Sequence, residues 1–296
     1  MANVIDRGTN LPTQIITEMF DTVRGKSSLA KLSAQRPIPF NGTTEMVFSL
    51  DSDIDIVGES AAKSNGGGAA TPVVIRPYKF EYGLRVSDEF MYGTEEYRID
   101  VLRTFAEGAA KKAARGMDIA AMHGLNPRTV TASAVVGTNN FESAISNSVT
   151  YVNSTPDANV SAAVALVEAG GYTPDGLALS PTARTDIAAM TVNGATKFPA
   201  FDWGGAPERL GAMTLDVNPT VEVAASGAAT TLYALLGDFS AFRWGYAKSI
   251  PLEVIEYGDP DNSGHDLKGY NQVYLRAEFY IGWGILDAAA FCKIEA

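Results

Sequence analysis

Two stretches near the amino end alternate apolar and polar residues with a period of two, which is the pattern of half-buried β-strands. They cover residues 44–50 and 73–86. The connection between them contains Gly66-Gly67-Gly68 and no GxGxxG or GxxxxGK[ST] motif, so it favours a flexible turn over a phosphate cradle. We therefore predict a long hairpin that protrudes from the body of the protein and has a glycine-rich tip.

Residues 94–123 repeat apolar positions at the spacing of one helical face, and they carry the strongest helix signal in the chain. Thr94 is a suitable N-cap, and two glutamates follow it where carboxylates favour the helix dipole. Gly124 supplies the stop. A helix of this length would measure roughly 45 Å. Gly108 and Gly116 weaken it somewhat, so the prediction is one long strut that could bend at a glycine.

Shorter elements are predicted for the rest of the chain, in the mixed order of a compact α/β unit followed by longer strands. One helix is expected to run from Asn159, as its cap, to Val167, and a second from Ser180-Pro181 to Met190. The strands expected here are 177–179, 217–223, 231–236, 250–257 and 270–282, of which the last two flank a turn-rich loop at 258–266.

Residues 1–45 form an amino-terminal arm in this prediction, mostly extended and with little to pack against locally. A short helix would place Ile15 and Phe20 on one apolar face, and a proline-rich stretch that cannot be helical follows it. In a monomer such an arm would make few contacts, whereas in an oligomer it can lie across a neighbouring subunit. We therefore expect a chain that lacks residues 1–40 to fold and to fail in assembly.

Composition narrows the class of protein. The 296 residues are enough for about two domains, and the formal charge of −11 argues against a nucleic-acid reader, because gripping phosphates needs clustered basic residues. The single cysteine, Cys292, excludes an intrachain disulfide and lies in an apolar run, where a buried thiol is expected. No apolar run is long enough to span a membrane, and the amino end lacks a signal-peptide pattern.

Residues that usually carry catalysis or metal binding are sparse. The two histidines, His123 and His265, belong to no HExxH or Cys/His spacing, and no GxSxG motif supports a nucleophilic serine. Asp259, Asp261 and Asp266 suit a calcium ion by type, yet the terminal glutamate of a calcium loop is missing, so a solvated turn is preferred. The sequence therefore predicts a protein that is not an enzyme, with no catalytic, cofactor-binding or metal-binding residues.

Three motifs, in this order along the chain, carry a resemblance to a known family. They are FEYGLRVSDEF at 80–90, LGDFS at 236–240 and LRAEFYIGWGILDAAAF at 275–291. Together with the hairpin and the strut helix, they resemble the Hong Kong 97-type major capsid protein of tailed bacteriophages, a family shared with the encapsulins. Asp287 stands where many members have proline.

The resemblance implies an α+β, Hong Kong 97-like capsid fold that covers essentially the whole chain. Its parts would be an N-terminal arm (1–45), an extended loop (46–80), a peripheral domain (81–124 and 250–280) with spine helix 94–123, and an axial domain (125–249 and 281–296).

By the same resemblance, the chain would be a major capsid protein whose hexamers and pentamers close into an icosahedral shell around a tailed-phage double-stranded DNA genome. Its partners would be further copies of itself, a separate scaffolding protein, a portal protein and packaged DNA without sequence-specific contact. It would need no cofactor and no membrane. It would be made and assembled in the host bacterial cytoplasm and end in the virion.

The residues expected to contact neighbouring subunits lie in the arm, the extended loop and the turn-rich loop: Ile15, Phe20, Phe40, Glu59, Lys63, Arg76, Tyr78, Asp261 and Asn262. Some family members join a loop lysine to an asparagine of another subunit, and Lys63 and Asn262 lie in the corresponding regions. The nearest alternative is an encapsulin-like nanocompartment shell protein. From other classes, a hydrolase or metal enzyme lacks its clustered ligands, and the long helix disfavours a sugar-binding or decoration protein.

Overall fold

The computed structural model of the protein describes residues 26–50, 53–63, 65–229, 231–248 and 252–296. These residues contain five α-helices, α1 to α5 in chain order: Ser28–Leu32, Glu95–His123, Phe141–Ala144, Pro156–Ala169 and Pro181–Ala188. They also contain fifteen strands, β1 to β15: Thr43–Leu50, Gly68–Ser87, Leu125–Asn126, Thr131–Ala132, Ser148–Thr150, Gly176–Leu179, Thr191–Val192, Ala195–Thr196, Arg209–Leu210, Met213–Val217, Leu232–Gly237, Phe242–Lys248, Leu252–Ile255, Gln272–Ile285 and Phe291–Glu295. The helix predicted around Ile15 and Phe20 lies outside the described residues.

The strand β14 is the centre of the first sheet, in which all pairings are antiparallel. One edge of β14 pairs with β2 over twelve residues, from Gln272 opposite Ser87 to Trp283 opposite Arg76. Its other edge pairs first with β13 and then with β12. The hairpin predicted around the turn-rich loop is confirmed, because β13 and β14 flank that loop.

The strand β2 continues beyond this sheet. Residues 76–87 pair with β14, whereas residues 68–75 pair only with β1, from Ile75 opposite Thr43 to Gly68 opposite Leu50. The two strands therefore leave the sheet as a two-stranded ribbon, which confirms the predicted protruding hairpin. We call residues 43–75, as far as they are described, the ribbon, and residues 53–63 its tip.

The second sheet is mixed, with the strand order β5-β15-β11-β6-β10-β9. Its two faces enter different parts of the core, since side chains alternate along a strand. On β11, Leu236 packs with the α4 residues Val160 and Val167, whereas Leu235 belongs to the cluster that contains Met117 of α2. The sheet is therefore covered by α4 and α5 on one face and by the second half of α2 on the other.

The long helix predicted over 94–123 is confirmed as α2. The Thr94 side chain accepts a hydrogen bond from the Tyr97 backbone N–H, and Gly124 ends the helix with a left-handed φ of 68°. Its buried residues all lie from Phe105 onward. The first third of the helix therefore projects beyond the core, and one face stays exposed as far as Arg115, after which every residue of the helix is buried.

Two sequence predictions are wrong in this part of the fold. The helix α4 starts at Pro156, after Thr155, so Asn159 is not its cap; its amide instead donates to the Val152 carbonyl at 2.9 Å. The strand expected at 217–223 is Met213–Val217 instead. It ends where Asn218 accepts a hydrogen bond from the Thr220 N–H and turns the chain.

Candidate assembly surfaces

The ribbon presents an apolar face that the described part of the subunit leaves uncovered. The side chains of Phe48 and Leu50 are 72% and 83% exposed, and Met46 is also exposed. Their cross-strand partners are small or compact, so the second strand does not shield them: Pro72, Ala70 and Gly68. A row of apolar side chains at this exposure marks an interaction surface.

The ribbon tip combines apolar and acidic side chains. Ile54 and Ile56 are each 97% exposed. Asp53, Asp55 and Glu59 are exposed as well, together with Lys63. The predicted contact residues Glu59 and Lys63 therefore lie on an accessible surface of mixed apolar and acidic character.

The other predicted contact residues of this region differ in how exposed their side chains are. Arg76 is exposed at the point where β2 leaves the sheet. Tyr78 is half-buried: its ring lies 4.4 Å from that of Trp283, and its hydroxyl accepts a hydrogen bond from the Asn139 amide at 3.0 Å. Phe40 is exposed, with its ring 5.3 Å from that of Tyr280. Tyr78 therefore contributes to the packing of its own subunit.

The turn-rich loop between β13 and β14 is held by Arg85. One terminal nitrogen of the guanidinium donates to Asp259 at 2.7 Å and to the His265 carbonyl at 2.9 Å, and Nε donates to Asp261 at 2.9 Å. This arginine holds the pKa of Asp261 well below its ordinary value. Asp259 and Asp261 are ion-paired with Arg85 within the predicted turn, whose residues 261–266 are exposed. Asn262 is exposed beside them.

Sequence reasoning missed Arg85 as the organiser of this loop. The residue belongs to the motif at 80–90, but its partner Asp259 lies 174 positions away along the chain. A basic residue at the end of a strand opposite an acidic loop is the only signal that the sequence offered.

Residues 27–38, which we call the arm root, are anchored to the body at Asp118 of α2. Asp118 is fully buried and accepts hydrogen bonds from the Ser27 hydroxyl at 2.5 Å, the Ser28 N–H at 2.9 Å and the Thr220 hydroxyl at 3.0 Å. Burial raises the pKa of Asp118 to about 6, against the lowering effect of these donors. Leu29, one residue on, is part of the main core. Sequence reasoning missed Asp118, for which the signal was a lone carboxylate inside an apolar helix run.

The rest of the arm root lies along β12. The indole N–H of Trp244 donates to the Ser33 carbonyl at 3.3 Å, and the Arg36 N–H donates to the Trp244 carbonyl at 2.9 Å. A Cβ atom on Gly245 would lie 1.6 Å from the Arg36 carbonyl oxygen, so the close approach requires glycine. The expectation that the arm finds little to pack against is therefore wrong for residues 27–38.

The side chains most often used in catalysis, a histidine and the cysteine, are hydrogen-bonded or buried within the subunit. His123 has Nδ1 2.7 Å from the Glu142 carboxylate and Nε2 2.8 Å from the Thr220 carbonyl. Cys292 is buried, as predicted, and burial raises the pKa of its thiol to about 11. Across the described ranges, no three His, Cys, Asp or Glu side chains are grouped to hold a metal ion. In the same ranges, none of the helices is both long and apolar enough to cross a membrane.

Comparison with known proteins gives consistent results. The phage capsid family matches residues 8–296. A solved chain from Mycobacterium phage Ogopogo is 32% identical, with a TM-score of 0.76 over 91% of this chain and 92% of that one. One from Gordonia phage Cozz is 24% identical, with a TM-score of 0.74 over 91% and 86%. The capsid of a native GTA particle, computed with C5 symmetry, shares the fold at 14% identity and a TM-score of 0.61, over 100% and 94%. No curated protein matches the sequence.

Proposed function

Because the chain belongs to the phage capsid family and is a major capsid protein that forms the shell, we propose that its subunits join as hexamers and pentamers through the ribbon. The observation that carries this proposal is the uncovered apolar face of the ribbon, with Phe48 and Leu50 largely exposed. An encapsulin-like compartment is not favoured, since the solved chains that resemble this one come from phages and a GTA particle.

The geometry of the ribbon supports contact with a neighbour. Eight residues of β1 extend about 27 Å at the usual rise per strand residue, and the tip adds to this reach. Each strand of the ribbon directs only half of its backbone N–H and C=O groups at the other strand, and its exposed apolar side chains are available for packing. Affinity at each contact can be modest, because a shell holds every subunit by many contacts at once.

The division of the chain into parts is also a proposal. The peripheral domain (81–124 and 250–280) would comprise α2, β13 and most of β14 with the part of β2 that pairs with it, and the axial domain (125–249 and 281–296) would comprise the second sheet, α4, α5 and β12. The capsomers would be built around the axial domain. Residues 46–80 would be the extended loop. The arm proper would comprise the residues that precede the arm root.

Further partners are proposed on the resemblance to the family. We include a separate scaffolding protein, a portal protein, and packaged DNA without sequence-specific contact, with assembly in the host cytoplasm. The protein would act structurally, with no reaction of its own. This part of the proposal is supported by His123 and Cys292, whose reactive atoms are buried or bonded within the subunit.

Replacing the ribbon tip with a short Gly-Ser linker tests the proposed function. The variant should fold as the wild type does, because the tip residues are exposed, and should yield no closed shells by negative-stain microscopy and sedimentation. The matched control changes the exposed turn Asn193-Gly194 to Gly-Gly, which accepts the positive φ of both positions, and should assemble normally. Closed shells of wild-type yield from the tip variant would refute a role of the ribbon in assembly.

A further inference from the structure

The exposed face of α2 carries a basic cluster that its own subunit does not use. Lys111, Lys112 and Arg115 are all exposed, and within the described ranges none of them forms an ion pair or a side-chain hydrogen bond. Acidic residues outnumber basic ones in this chain, which has a formal charge of −11. Three free basic side chains within about one and a half helical turns therefore form a local reversal of the overall charge.

A glycine, Gly108, lies beside this cluster, and no described residue of the subunit packs closely against it. Thr104, Gly108, Lys111 and Arg115 follow at the spacing that places residues on one helical face. Glycine in a helix interior weakens the helix relative to alanine. A Cβ atom on Gly108 would meet nothing within 4 Å, so packing in the subunit does not call for glycine here. Close approach by another chain does call for it.

The ribbon tip is complementary to this face. Its three carboxylates, Asp53, Asp55 and Glu59, are exposed and match the basic cluster in number. Ile54 and Ile56 alternate with them, and Tyr97 extends the face of α2 toward the amino end as an exposed aromatic. Both surfaces thus combine apolar side chains with charges of opposite sign.

We propose that the basic cluster of α2 (Lys111, Lys112 and Arg115) and the adjacent Gly108 bind the acidic ribbon tip of a second copy of this chain. This rests on the proposed function of the ribbon and names the surface to which it binds. A second copy is preferred over a nucleic acid because binding to a phosphate backbone draws on many basic contacts, and the cluster supplies three. The pairing fixes which part of the neighbour the ribbon covers and in which direction it lies.

A charge exchange tests the pairing. Changing Lys111→Glu, Lys112→Glu and Arg115→Glu together should lower the yield of closed shells at least about ten-fold, since like charges would then face each other. Changing Asp53→Lys, Asp55→Lys and Glu59→Lys should have the same effect. Combining the two sets should restore most of the yield, because the charges are again opposite.

The matched control changes three exposed basic residues elsewhere by the same total charge: Arg36→Glu, Arg209→Glu and Lys268→Glu. It should assemble at close to wild-type yield. Thermal unfolding of each isolated subunit verifies that the variants fold. The inference is overturned if reversal on α2 leaves the shell yield unchanged, or if the combined variant is no better than either set alone.

This outcome is distinguishable from a failure of the proposed function. If the tip replacement abolishes shells and the α2 reversal does not, the ribbon acts in assembly but binds elsewhere. If the α2 reversal leaves shells intact and weakens the binding of a short DNA duplex to them, the cluster serves a polyanion and the inference is likewise overturned.

A second measurement applies to shells that do assemble. The variant Asp55→Cys, Gly108→Cys should give disulfide-linked multimers on denaturing gels after mild oxidation, because the two positions would lie together across the subunit boundary. The background is low, since the chain has one cysteine, Cys292, and it is buried. The pair Asp55→Cys, Arg209→Cys serves as control. Equal cross-linking in both pairs, or none in the first, contradicts the proposed contact.

Discussion

The arm root and the ribbon follow one another along the chain and differ in what covers them. In the arm root, Ser27 and Ser28 donate hydrogen bonds to the buried Asp118, and Leu29 packs in the core. The backbone of the arm root is hydrogen-bonded to that of Trp244 in β12. The ribbon leaves Phe48 and Leu50 in solvent. An extended segment thus packs against its own subunit where that subunit offers a complementary surface, and otherwise remains available to bind another subunit.

Because of this difference, we expect the arm root to affect the stability of the isolated subunit and the ribbon to affect assembly of the shell. Contacts of the arm root stabilise the isolated subunit, since they are made before any neighbour arrives. Contacts of the ribbon, on the proposed function, would contribute only in the shell. Substitutions in the two segments should therefore affect different measurements, and the following predictions run from the largest expected loss of subunit stability to the smallest.

Deletion of residues 1–40 should destabilise the subunit by at least about 3 kcal/mol, because it removes Leu29 from the core and leaves Asp118 buried with fewer donors. Deletion of residues 1–25 keeps the Leu29 and Asp118 contacts of the arm root and should therefore cost less in urea unfolding than the longer deletion. Equal stability of the two deletions would show that the arm root does not support the body.

The substitution Gly245→Ala should cost about 1–3 kcal/mol in urea unfolding, because its Cβ would meet the Arg36 carbonyl oxygen at 1.6 Å and force the arm root outward. Limited proteolysis should then cut within residues 33–38. The control is Gly58→Ala in the ribbon tip, where a Cβ meets nothing within 4 Å and little should change.

The stability of the subunit should also depend on pH through Asp118. Burial raises its pKa from 3.8 to about 6, so the folded state binds the proton more tightly than the unfolded state does. This group therefore favours folding most below pH 3.8, and the contribution is lost as the pH rises through about 6. Between pH 7 and pH 5 the wild type should gain about 1 kcal/mol relative to Asp118→Asn, which does not titrate. A difference that stays constant over this range would contradict the assignment.

In the ribbon, Phe48→Ser should change the stability of the isolated subunit by less than about 0.5 kcal/mol, because the side chain is largely exposed. The same substitution should reduce the yield of shells, where we expect the side chain to be covered. A matched buried change, Phe279→Ser in β14, should instead prevent folding. A loss of subunit stability in Phe48→Ser would show that the ribbon, like the arm root, packs against its own subunit.

The features that sequence reasoning predicted are those set by local periodicity. The alternation at 44–50 and the face of α2 are repeated along the chain, and Thr94 and Gly124 mark the ends of the helix by local chemistry. The helix α1 has five residues, too few for a periodic pattern to be distinguished. The strand misplaced to 217–223 shows that an apolar run alone does not fix where a strand ends.

The candidate surfaces were predictable only in part, because their state depends on distant partners. The exposure of the ribbon tip follows from the length of the hairpin, and its contact residues stay predictions. The anchoring of Ser27 depends on Asp118, which lies 91 positions away, and that of the turn-rich loop depends on Arg85. Pairings over such separations are decided by the packed fold, so the arm root was mistaken for part of a free arm.

The pairing of β2 with β14 has a mechanical consequence for a shell under internal pressure. A neighbour that pulls on the ribbon pulls along the axis of β2, parallel to the strands. The twelve residue pairs between Ser87 and Arg76 are then sheared together instead of being unzipped one after another. The strand that receives this tension, β14, is clamped on its other edge by β12 and β13. Tension between subunits is thereby spread through the whole first sheet before it reaches the core.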